Sequence, residues 1–352
     1  MTSPSESPNT LYDTTFVGDG EMATLMRSHD WSNTPLGPVE NWPQSLRTLV
    51  STMLASRFAQ VVFWGEDYIQ LYNDALIPTF GANHPKALGQ HPGAIWAEVW
   101  DNQVKPLLEG VRTTGEAFFA EDQLFPLLRF GYLEEVYITF CYSPIWDETG
   151  KISGIFCTET ETTQQVIGQR RLTMLRELAT AGAGAKTLQS ACLAATDALN
   201  PYDIPFALFY QVNGGLAERV AECGLSADCL AAPSEINLTE RSASWSLVDV
   251  LQSREPLLIT DVVDRFGSFP VEPWGESPQS AFILPILSSN KEAVECLLVA
   301  GISPRLQFNP EYRSFLELVG QQVESSIATA RSYEEERKRA EVRCTPLSRQ
   351  FS

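Results

Sequence analysis

The residues of this sequence that could do covalent or metal chemistry are its seven cysteines and three histidines. Only Cys223 and Cys229 lie close together in the chain. Two thiols at this spacing can act as a nucleophile and a resolving thiol in a redox reaction. The remaining cysteines are scattered without the spacing of metal ligands, as is typical of reduced thiols in a cytosol. The sequence therefore predicts no metal site and leaves one thiol pair as a candidate for catalysis.

The three histidines, His29, His84 and His91, are candidates for binding a haem iron. An axial haem ligand is expected on a helix that faces a pocket, whereas His84 and His91 lie beside Pro85 and Pro92 in predicted loops. We interpret all three histidines as surface residues. No other cofactor signature is present in the sequence, so no cofactor is predicted from these residues.

The length and the net charge of the chain indicate how many domains it has and which partners it can bind. A chain of 352 residues suits two domains. Its 44 acidic residues outnumber its 25 basic ones, and the formal charge of -19 repels phosphate backbones and anionic lipids. The N-terminus lacks the basic and apolar segments of a signal peptide, and the apolar runs are too short to span a bilayer. The sequence predicts a cytoplasmic protein that binds neither nucleic acid nor membranes.

The first half of the chain has the pattern of one α+β domain. Residues 1–45 are predicted to be a disordered N-terminus followed by a strap. The disordered part is residues 1–10, and the strap is extended and rich in proline. A helix from Gln44 to Ala55 follows, with Pro43 at its first turn. Two short strands, several helical turns and three further strands come next, and the segment DETGK joins the last two strands. This order predicts one antiparallel sheet with flanking helices.

Four segments within residues 46–165 carry a family resemblance. They are Tyr72-Asn73-Asp74-Ala75 after the second strand, the turn HPKALGQ, the hairpin WDETGKISGIF and the exit segment ETTQQ. Together they resemble a PAS domain, whose exit motif Asp-x-Thr stands here as Glu161 and Thr163. The resemblance implies that these two residues relay a signal to the following helix. The strap TPLGPVENWPQSL is similar to the lead-in of bacterial hybrid sensor histidine kinases.

The PAS resemblance implies a core, enclosed by the sheet and the helices, that can hold an unknown small ligand. We expect the lining of this cavity among the following residues: Phe63, Trp64, Tyr72, Asn73, Trp96, Trp100, Phe118, Tyr137 and Phe140. The alternative interpretation is that each of these residues fills the hydrophobic core and contacts no ligand. The cysteine motif of flavin-binding relatives is absent, and Cys141 and Cys157 are predicted to be buried strand residues.

The second half of the chain has a connector helix over residues 166–185 and a second α+β pattern over residues 170–330. Its strands FALFYQV and LAERVAEC, the pair AFILPIL and CLLVAGI, and its terminal helix together resemble a GAF domain. Some small GAF-fold proteins reduce free methionine sulfoxide with a cysteine pair, and Cys223 and Cys229 could take those roles. The cyclic-nucleotide motif of the family is incomplete here, because Tyr312 and Arg313 replace its acidic pair.

The terminal helix carries an apolar stripe that includes Leu316, Val319, Val323 and Ala330. Such a stripe can pair with its copy in a parallel coiled coil. We therefore expect a homodimer or a heterodimer through helices, with these four residues as candidates for relaying the signal. The alternative, favoured for Leu316 and Val319, is that they cover the sheet of their own domain.

Residues 331–352 are predicted to be the end of this signalling helix, which loses helical character after Glu341, followed by an irregular tail. The segment Arg343-Cys344-Thr345-Pro346-Leu347 is similar to part of the phospho-acceptor box of histidine kinases, H-E-x-R-T-P-L. Glu341 stands where that box has its histidine, and no nucleotide-binding boxes accompany it. The sequence therefore predicts no autokinase activity.

Taken together, the sequence predicts an α+β fold of two domains, each an antiparallel sheet with flanking helices, joined and followed by long helices. The expected function is a non-catalytic sensory module that binds a small ligand or a partner and relays the signal through its C-terminal helix. This is similar to the input half of a sensor histidine kinase, so the chain would act on a histidine kinase in trans. Two alternatives stay open: a truncated or frameshifted histidine kinase, and a cysteine-dependent methionine sulfoxide reductase.

Overall fold

The computed structural model describes residues 8–226, 228–239, 244–288, 290 and 292–344. The chain divides into two compact units, residues 1–166 and 167–352. Each unit contains one antiparallel sheet flanked by helices. The predicted fold class, α+β with two antiparallel sheets and a long C-terminal helix, is confirmed.

From Pro8 onward, the N-terminal segment of the first unit is folded rather than disordered. Helices α1 (Pro8–Thr15) and α2 (Glu21–Ser28) precede 3-10 turns at Trp31–Asn33 and Val39–Asn41. The predicted disorder is therefore wrong for residues 8–10, while residues 1–7 lie outside the described residues. The strap is also not extended throughout. The physical reason is hydrophobic burial, since the apolar side chains that follow residue 10 pack into the core of the first unit.

The sheet of the first unit has five strands in the order β2-β1-β5-β4-β3. The predicted helix α3 (Gln44–Ala55) is confirmed, with Pro43 at its N-cap. The strands are β1 (Ala59–Trp64), β2 (Ile69–Tyr72), β3 (Phe118–Leu128), β4 (Leu133–Trp146) and β5 (Ile152–Glu161). Between β2 and β3 lie α4 (Ile77–Phe80), α5 (Ala97–Val99), a π-helical turn (Trp100–Val104) and α6 (Lys105–Thr114).

The second unit has a six-stranded antiparallel sheet in the order β8-β7-β6-β11-β10-β9. Helix α7 (Thr163–Gly182) starts in the first unit, and α8 (Leu188–Ala198) follows it. The strands are β6 (Ala207–Asn213), β7 (Leu216–Cys223), β8 (Glu235–Asn237), β9 (Leu257–Ile259), β10 (Ala281–Leu287) and β11 (Val294–Gly301). The other helices are α9 (Leu247–Ser253), α10 (Val262–Phe266) and α11 (Pro310–Cys344).

Helix α11 buries its apolar stripe in the second unit itself. Leu316, Val319, Val323 and Ala330 are each at most 1% exposed and belong to the core that α11 forms with the sheet. They therefore cover the sheet of their own domain, as the alternative held for Leu316 and Val319, and the pairing through helices stays a prediction. The helix also runs past Glu341 to Cys344, and residues 345–352 of the predicted tail lie outside the described residues.

Candidate ligand site

A cavity of about 60 Å³ lies in the first unit between the sheet and the short helices that follow β2. Aromatic and aliphatic side chains form most of its wall, and three polar side chains interrupt it. The lining residues are Val61, Phe63, Gln70, Leu76, Thr79, Phe80, Trp96, Val99, Val104, Phe125, Leu127, Ile138, Phe140, Tyr142 and Glu159. An apolar cavity with a few polar groups is the usual form of a small-molecule site.

Gln70 is the first polar residue of the cavity. It lies on β2, a strand whose four residues are all buried, and it pairs with Phe63 of β1. Its backbone N–H donates to Gln90 and its carbonyl accepts from Gly89. Its side chain is fully buried, and both amide atoms lack a hydrogen-bond partner within the described residues. A buried amide without partners is destabilising, so the fold maintains Gln70 at a cost in stability.

Glu159 is the second polar residue, and it lies on β5 opposite Phe140 of β4. The residue as a whole is half-buried, but its Oε1 atom is enclosed and has no partner within the described residues. Burial raises the pKa of Glu159 to about 7, and a hydrogen bond from Thr79 opposes this rise. Of the nearby charges, Glu161 raises the pKa further and Arg129 lowers it. The carboxyl group therefore exchanges its proton near neutral pH.

Glu161 lies two residues beyond Glu159 on β5, and its carboxylate belongs to a partly buried ion cluster. Arg129 donates from Nη1 to Glu161 Oε2 and from Nη2 to Glu134 Oε2, each at 2.8 Å. The Thr163 hydroxyl donates to Glu161 Oε1 at 2.9 Å, and it accepts from the backbone N–H of Tyr137 at 3.0 Å. The structure thus brings together Glu161 and Thr163, the two residues that the exit motif nominated, at the first turn of α7. Their relay role stays a prediction.

Three of the nine predicted pocket residues line the cavity: Phe63, Trp96 and Phe140. Trp64 instead faces a separate groove of about 270 Å³, whose wall includes the charged residues Glu66 and Arg112. That groove is exposed to solvent, because the Glu66 side chain is 91% exposed. It lacks the buried polar groups that distinguish the cavity.

The other five predicted pocket residues pack elsewhere. Tyr72 stacks on Phe80 with ring centroids 4.1 Å apart, so it lies behind the cavity wall. Asn73 has a structural role, since its side chain donates to three backbone carbonyls at the end of α3 and the start of β1. Trp100, Phe118 and Tyr137 are not among the lining residues. These five residues do not line this cavity, and a role for them in ligand binding stays a prediction.

The sequence analysis missed Gln70, Thr79, Tyr142 and Glu159, although two of these positions carried a usable signal. Gln70 is a polar residue inside the apolar stretch YIQLY, where the flanking residues already predicted a buried strand. Glu159 alternates with Cys157 and Glu161 along β5, so it shares their face of the sheet. A polar side chain on a buried strand needs a hydrogen-bond partner or a function. A search for polar residues within predicted buried strands would therefore have selected both Gln70 and Glu159.

The three histidines are half-buried rather than on the surface. His84 lies between Tyr72 and Glu21, with its Nδ1 atom 2.9 Å from the phenol oxygen and its Nε2 atom 3.0 Å from a carboxylate oxygen. It therefore joins β2 to the N-terminal helix α2. Within the described residues, no group of three or more His, Cys, Asp or Glu could hold a metal ion.

The thiol of Cys223 is poorly suited to nucleophilic catalysis. It lies at the end of β7, where burial raises its pKa to about 11 and a backbone hydrogen bond from Ala207 offsets only part of this rise. A reactive cysteine needs the opposite shift, since the thiolate is the nucleophile. The methionine sulfoxide reductase alternative is therefore not favoured.

Glu159 makes the stability of the first unit depend on pH. Its folded pKa of about 7 lies above its usual value of 4.5, so between these pH values the folded chain holds a proton that the unfolded chain has lost. The free energy of unfolding should therefore fall as pH rises from 4.5 to 7 and stay low above 7. We expect this loss to be about 3 kcal/mol for the wild type and absent in Glu159→Gln, which cannot ionise.

Thermal unfolding of the two proteins at several pH values between 4.5 and 8 measures this difference. Glu121→Gln is the matched control, because Glu121 is an exposed carboxylate on β3. Parallel pH profiles for the wild type and Glu159→Gln would contradict the shifted pKa.

The fold is that of a mixed α+β protein with two antiparallel sheets and a long C-terminal helix. Residues 185–328 match the family model described as the GAF domain, so the second unit carries a GAF fold, as predicted. None of the curated proteins matches the chain. Among the residues that the structure describes, no helix is both long and apolar enough to cross a bilayer.

Solved structures similar to this chain include three GAF-fold proteins. The GAF domain of an Acinetobacter phosphoenolpyruvate-protein phosphotransferase is 16% identical, with 47% of this chain and 97% of that chain covered and a TM-score of 0.35. The corresponding domain from Coxiella burnetii is 18% identical, with 47% and 98% covered and a TM-score of 0.36. Free methionine-R-sulfoxide reductase from Neisseria meningitidis, in complex with its substrate, is 16% identical, with 46% and 90% covered and a TM-score of 0.35.

Proposed function

We propose that this chain is a sensory module that binds a small ligand in the cavity of its first unit and relays binding to helix α7. The GAF fold of the second unit supports a sensory or regulatory role. The observation that carries the proposal is the position of two carboxylates on β5. Glu159 lines the cavity, and Glu161 belongs to the ion cluster at the start of α7.

Electrostatic coupling gives a physical route from the cavity to the helix. Alternate residues of a strand point to the same face, so Glu159 and Glu161 are neighbours on that face of β5. The charges of Glu161 and Arg129 both act on the pKa of Glu159. A ligand that replaces water in the cavity favours the protonated form of Glu159. The change in charge then alters how strongly Arg129 is held by Glu161, which also accepts from Thr163 of α7.

The architecture of the first unit supports a PAS-type role for it. Two strands, short helices and three antiparallel strands follow one another along the chain, and the strands form one sheet in the order β2-β1-β5-β4-β3. On this proposal the chain works in the cytoplasm as the input part of a two-component system. It would form a dimer through helices and act on a histidine kinase in trans.

A relay requires two states of α7 that differ by only a few kcal/mol and that ligand binding can exchange. Hydrogen exchange of the α7 backbone, followed by mass spectrometry on the full chain, tests this requirement. We expect Glu159→Gln, which mimics the protonated carboxyl, to change the exchange rates in the first two turns of α7 by about threefold or more. Glu121→Gln on β3 should leave them unchanged.

Two results would remove the proposal. Equal exchange in α7 for the wild type and Glu159→Gln at pH 8 would mean that the cavity carboxyl is not coupled to the helix. Native mass spectrometry of the same samples tests the dimer, and a monomer at every concentration up to that needed for the exchange experiment would exclude the proposed pairing through helices.

A further inference from the structure

We propose that the Gln70 end of the cavity binds a small uncharged molecule with an amide edge, such as a primary amide or a urea. This inference rests on the proposed function, because it names the class of ligand for the same cavity. Its starting point is that Gln70 offers both a donor and an acceptor to the cavity, and neither has a partner within the described residues.

The hydrogen bonds that are open at Gln70 define the complementary ligand. The side-chain amide presents a carbonyl oxygen that accepts and an NH₂ group that donates, side by side in one plane. A second amide edge satisfies both with two parallel hydrogen bonds. The backbone groups of Gln70 are already bonded to Gln90 and Gly89, so they do not compete for the ligand. Phe63 and Trp96 add apolar wall to the same cavity, which suits the carbon part of a small amide.

The volume of the cavity restricts the size of the ligand. One water needs about 10–15 Å³ of space for its centre, so about 60 Å³ admits about four water-sized groups. A molecule of about four non-hydrogen atoms, the size of acetamide or urea, is therefore the upper range. Ordered waters are the competing occupant, and the titrations described next separate them from a ligand.

The charges around the cavity favour an uncharged ligand over an anion or a cation. Among the described residues that line it, none is Lys or Arg, so a bound carboxylate would have no counter-ion. A small ammonium ion could pair with Glu159, but it has no acceptor for the NH₂ group of Gln70. An amide edge satisfies both atoms of Gln70 without burying a charge.

Gln70 and Glu159 lie at different ends of the cavity wall. Gln70 pairs with Phe63 of β1, whereas Glu159 pairs with Ala59, four positions earlier on that strand. At about 3.4 Å per residue this places their backbones about 14 Å apart along the strands. A ligand of four non-hydrogen atoms therefore bonds to Gln70 and not to Glu159. Glu159 responds to the loss of water from the cavity rather than to a direct contact.

The test uses three molecules of one shape that differ in hydrogen bonding and in charge: acetamide and acetone, which are uncharged, and acetate, which is an anion. Each is titrated into the full-length protein while the indole N–H resonance of Trp96 is followed by NMR. We expect acetamide to bind at least about tenfold more tightly than acetone or acetate, because only acetamide satisfies both atoms of Gln70. Gln70→Leu should weaken acetamide binding by about tenfold or more and leave weak acetone binding in place.

Gln60→Leu is the matched control for this experiment. Gln60 precedes Val61 on β1, also has a buried side-chain oxygen without a partner, and does not line the cavity. Acetamide affinity should be unchanged in Gln60→Leu and change less than about threefold in Glu159→Gln, since a four-atom ligand reaches only one end. A ligand that copurifies with the protein in native mass spectrometry must itself carry an amide edge.

Each contrary result has a distinct meaning. Equal affinity for acetamide and acetone, or acetamide binding that survives Gln70→Leu, would overturn the amide class while the cavity and the proposed function stand. No binding of any of the three would mean that water is the occupant, which also overturns the inference. Loss of coupling between Glu159 and α7, measured by hydrogen exchange, would instead overturn the proposed function and leave the ligand class intact.

Discussion

Asp203→Ala is expected to lower the free energy of unfolding of the second unit by about 3 to 5 kcal/mol. The Asp203 side chain is 0% exposed and holds two arginines at once. Arg170 Nε donates to Oδ2 at 2.6 Å and Arg171 Nε donates to Oδ1 at 2.8 Å. The alanine variant would leave both guanidinium groups, which are 13% and 16% exposed, beside each other without this carboxylate.

The same residue also connects the first and last helices of the second unit. Its backbone carbonyl accepts a hydrogen bond from the hydroxyl of Tyr312 on α11, while the two arginines lie on α7. The guanidinium of Arg171 packs over the Tyr312 ring at 4.3 Å and over Phe315 at 4.8 Å. Burial raises the pKa of Tyr312, so its hydroxyl stays a hydrogen-bond donor at all ordinary pH values. Loss of Asp203 should therefore loosen α7 and α11 together.

Hydrogen exchange on the full chain measures this effect, because it reports the stability of each unit separately. Amides of the second-unit sheet should exchange faster in Asp203→Ala, whereas those of β1 to β5 should not. Glu317→Ala is the control, since its ion pair with Arg313 is exposed and contributes only about 0.5 kcal/mol. If Asp203→Ala and Glu317→Ala changed the exchange rates of the second-unit sheet equally, Asp203 would not be the residue that holds α7 and α11 together.

Several elements of the fold could be predicted from residues that lie close together in the sequence. Helix α3 begins after Pro43, where proline fixes the backbone for a helix start, and its apolar residues repeat with the helical period. The hairpin between β4 and β5 forms around Asp147, whose Oδ1 atom accepts from the backbone N–H groups of Thr149 and Lys151. Both features depend on residues within a few positions of each other, so they could be predicted without knowledge of the fold.

The cavity could be predicted only in part, because its wall depends on which face of each strand turns inward. Phe63 and Trp64 are adjacent on β1, and Tyr137 and Phe140 are three apart on β4, so neither pair can share a face. The aromatic criterion nominated all four, and strand alternation would have removed half of them. Trp100 begins a π-helical turn, which changes the side-chain direction from that of a regular helix.

The functional groups of the site are harder to predict than its aromatic wall. Gln70 and Glu159 are far apart in the chain, and strand register alone brings them to one cavity. Arg129 lies near the end of β3, and nothing local indicates that it contacts Glu161. Such pairings follow from the sheet order, in which β5 lies between β1 and β4. The exit motif was an exception, since its resemblance placed Glu161 and Thr163 at the start of α7 before the fold was known.

Arg129→Leu is expected to destabilise the first unit by about 3 to 5 kcal/mol and to change the exchange of α7 at the same time. The Arg129 side chain is 8% exposed, and its two carboxylate partners Glu134 and Glu161 are 12% and 32% exposed. Removing the arginine leaves Glu134 as a buried charge without compensation. The double variant Arg129→Leu/Glu134→Leu should recover most of the lost stability, because the one carboxylate that then lacks the arginine is Glu161, which is 32% exposed and still accepts from Thr163.

The pH dependence of these variants separates the relay from simple destabilisation. Arg129 lowers the pKa of Glu159, so without it the pKa should rise further and the pH-dependent loss of stability should extend to higher pH. This shift should persist in the stable double variant, whose thermal unfolding is measured between pH 5 and 9. An unshifted profile in the double variant would show that the ion cluster supports the fold without any connection to the cavity carboxyl. A shifted profile together with altered exchange in α7 requires that the cavity, Arg129 and the helix form one electrostatic unit.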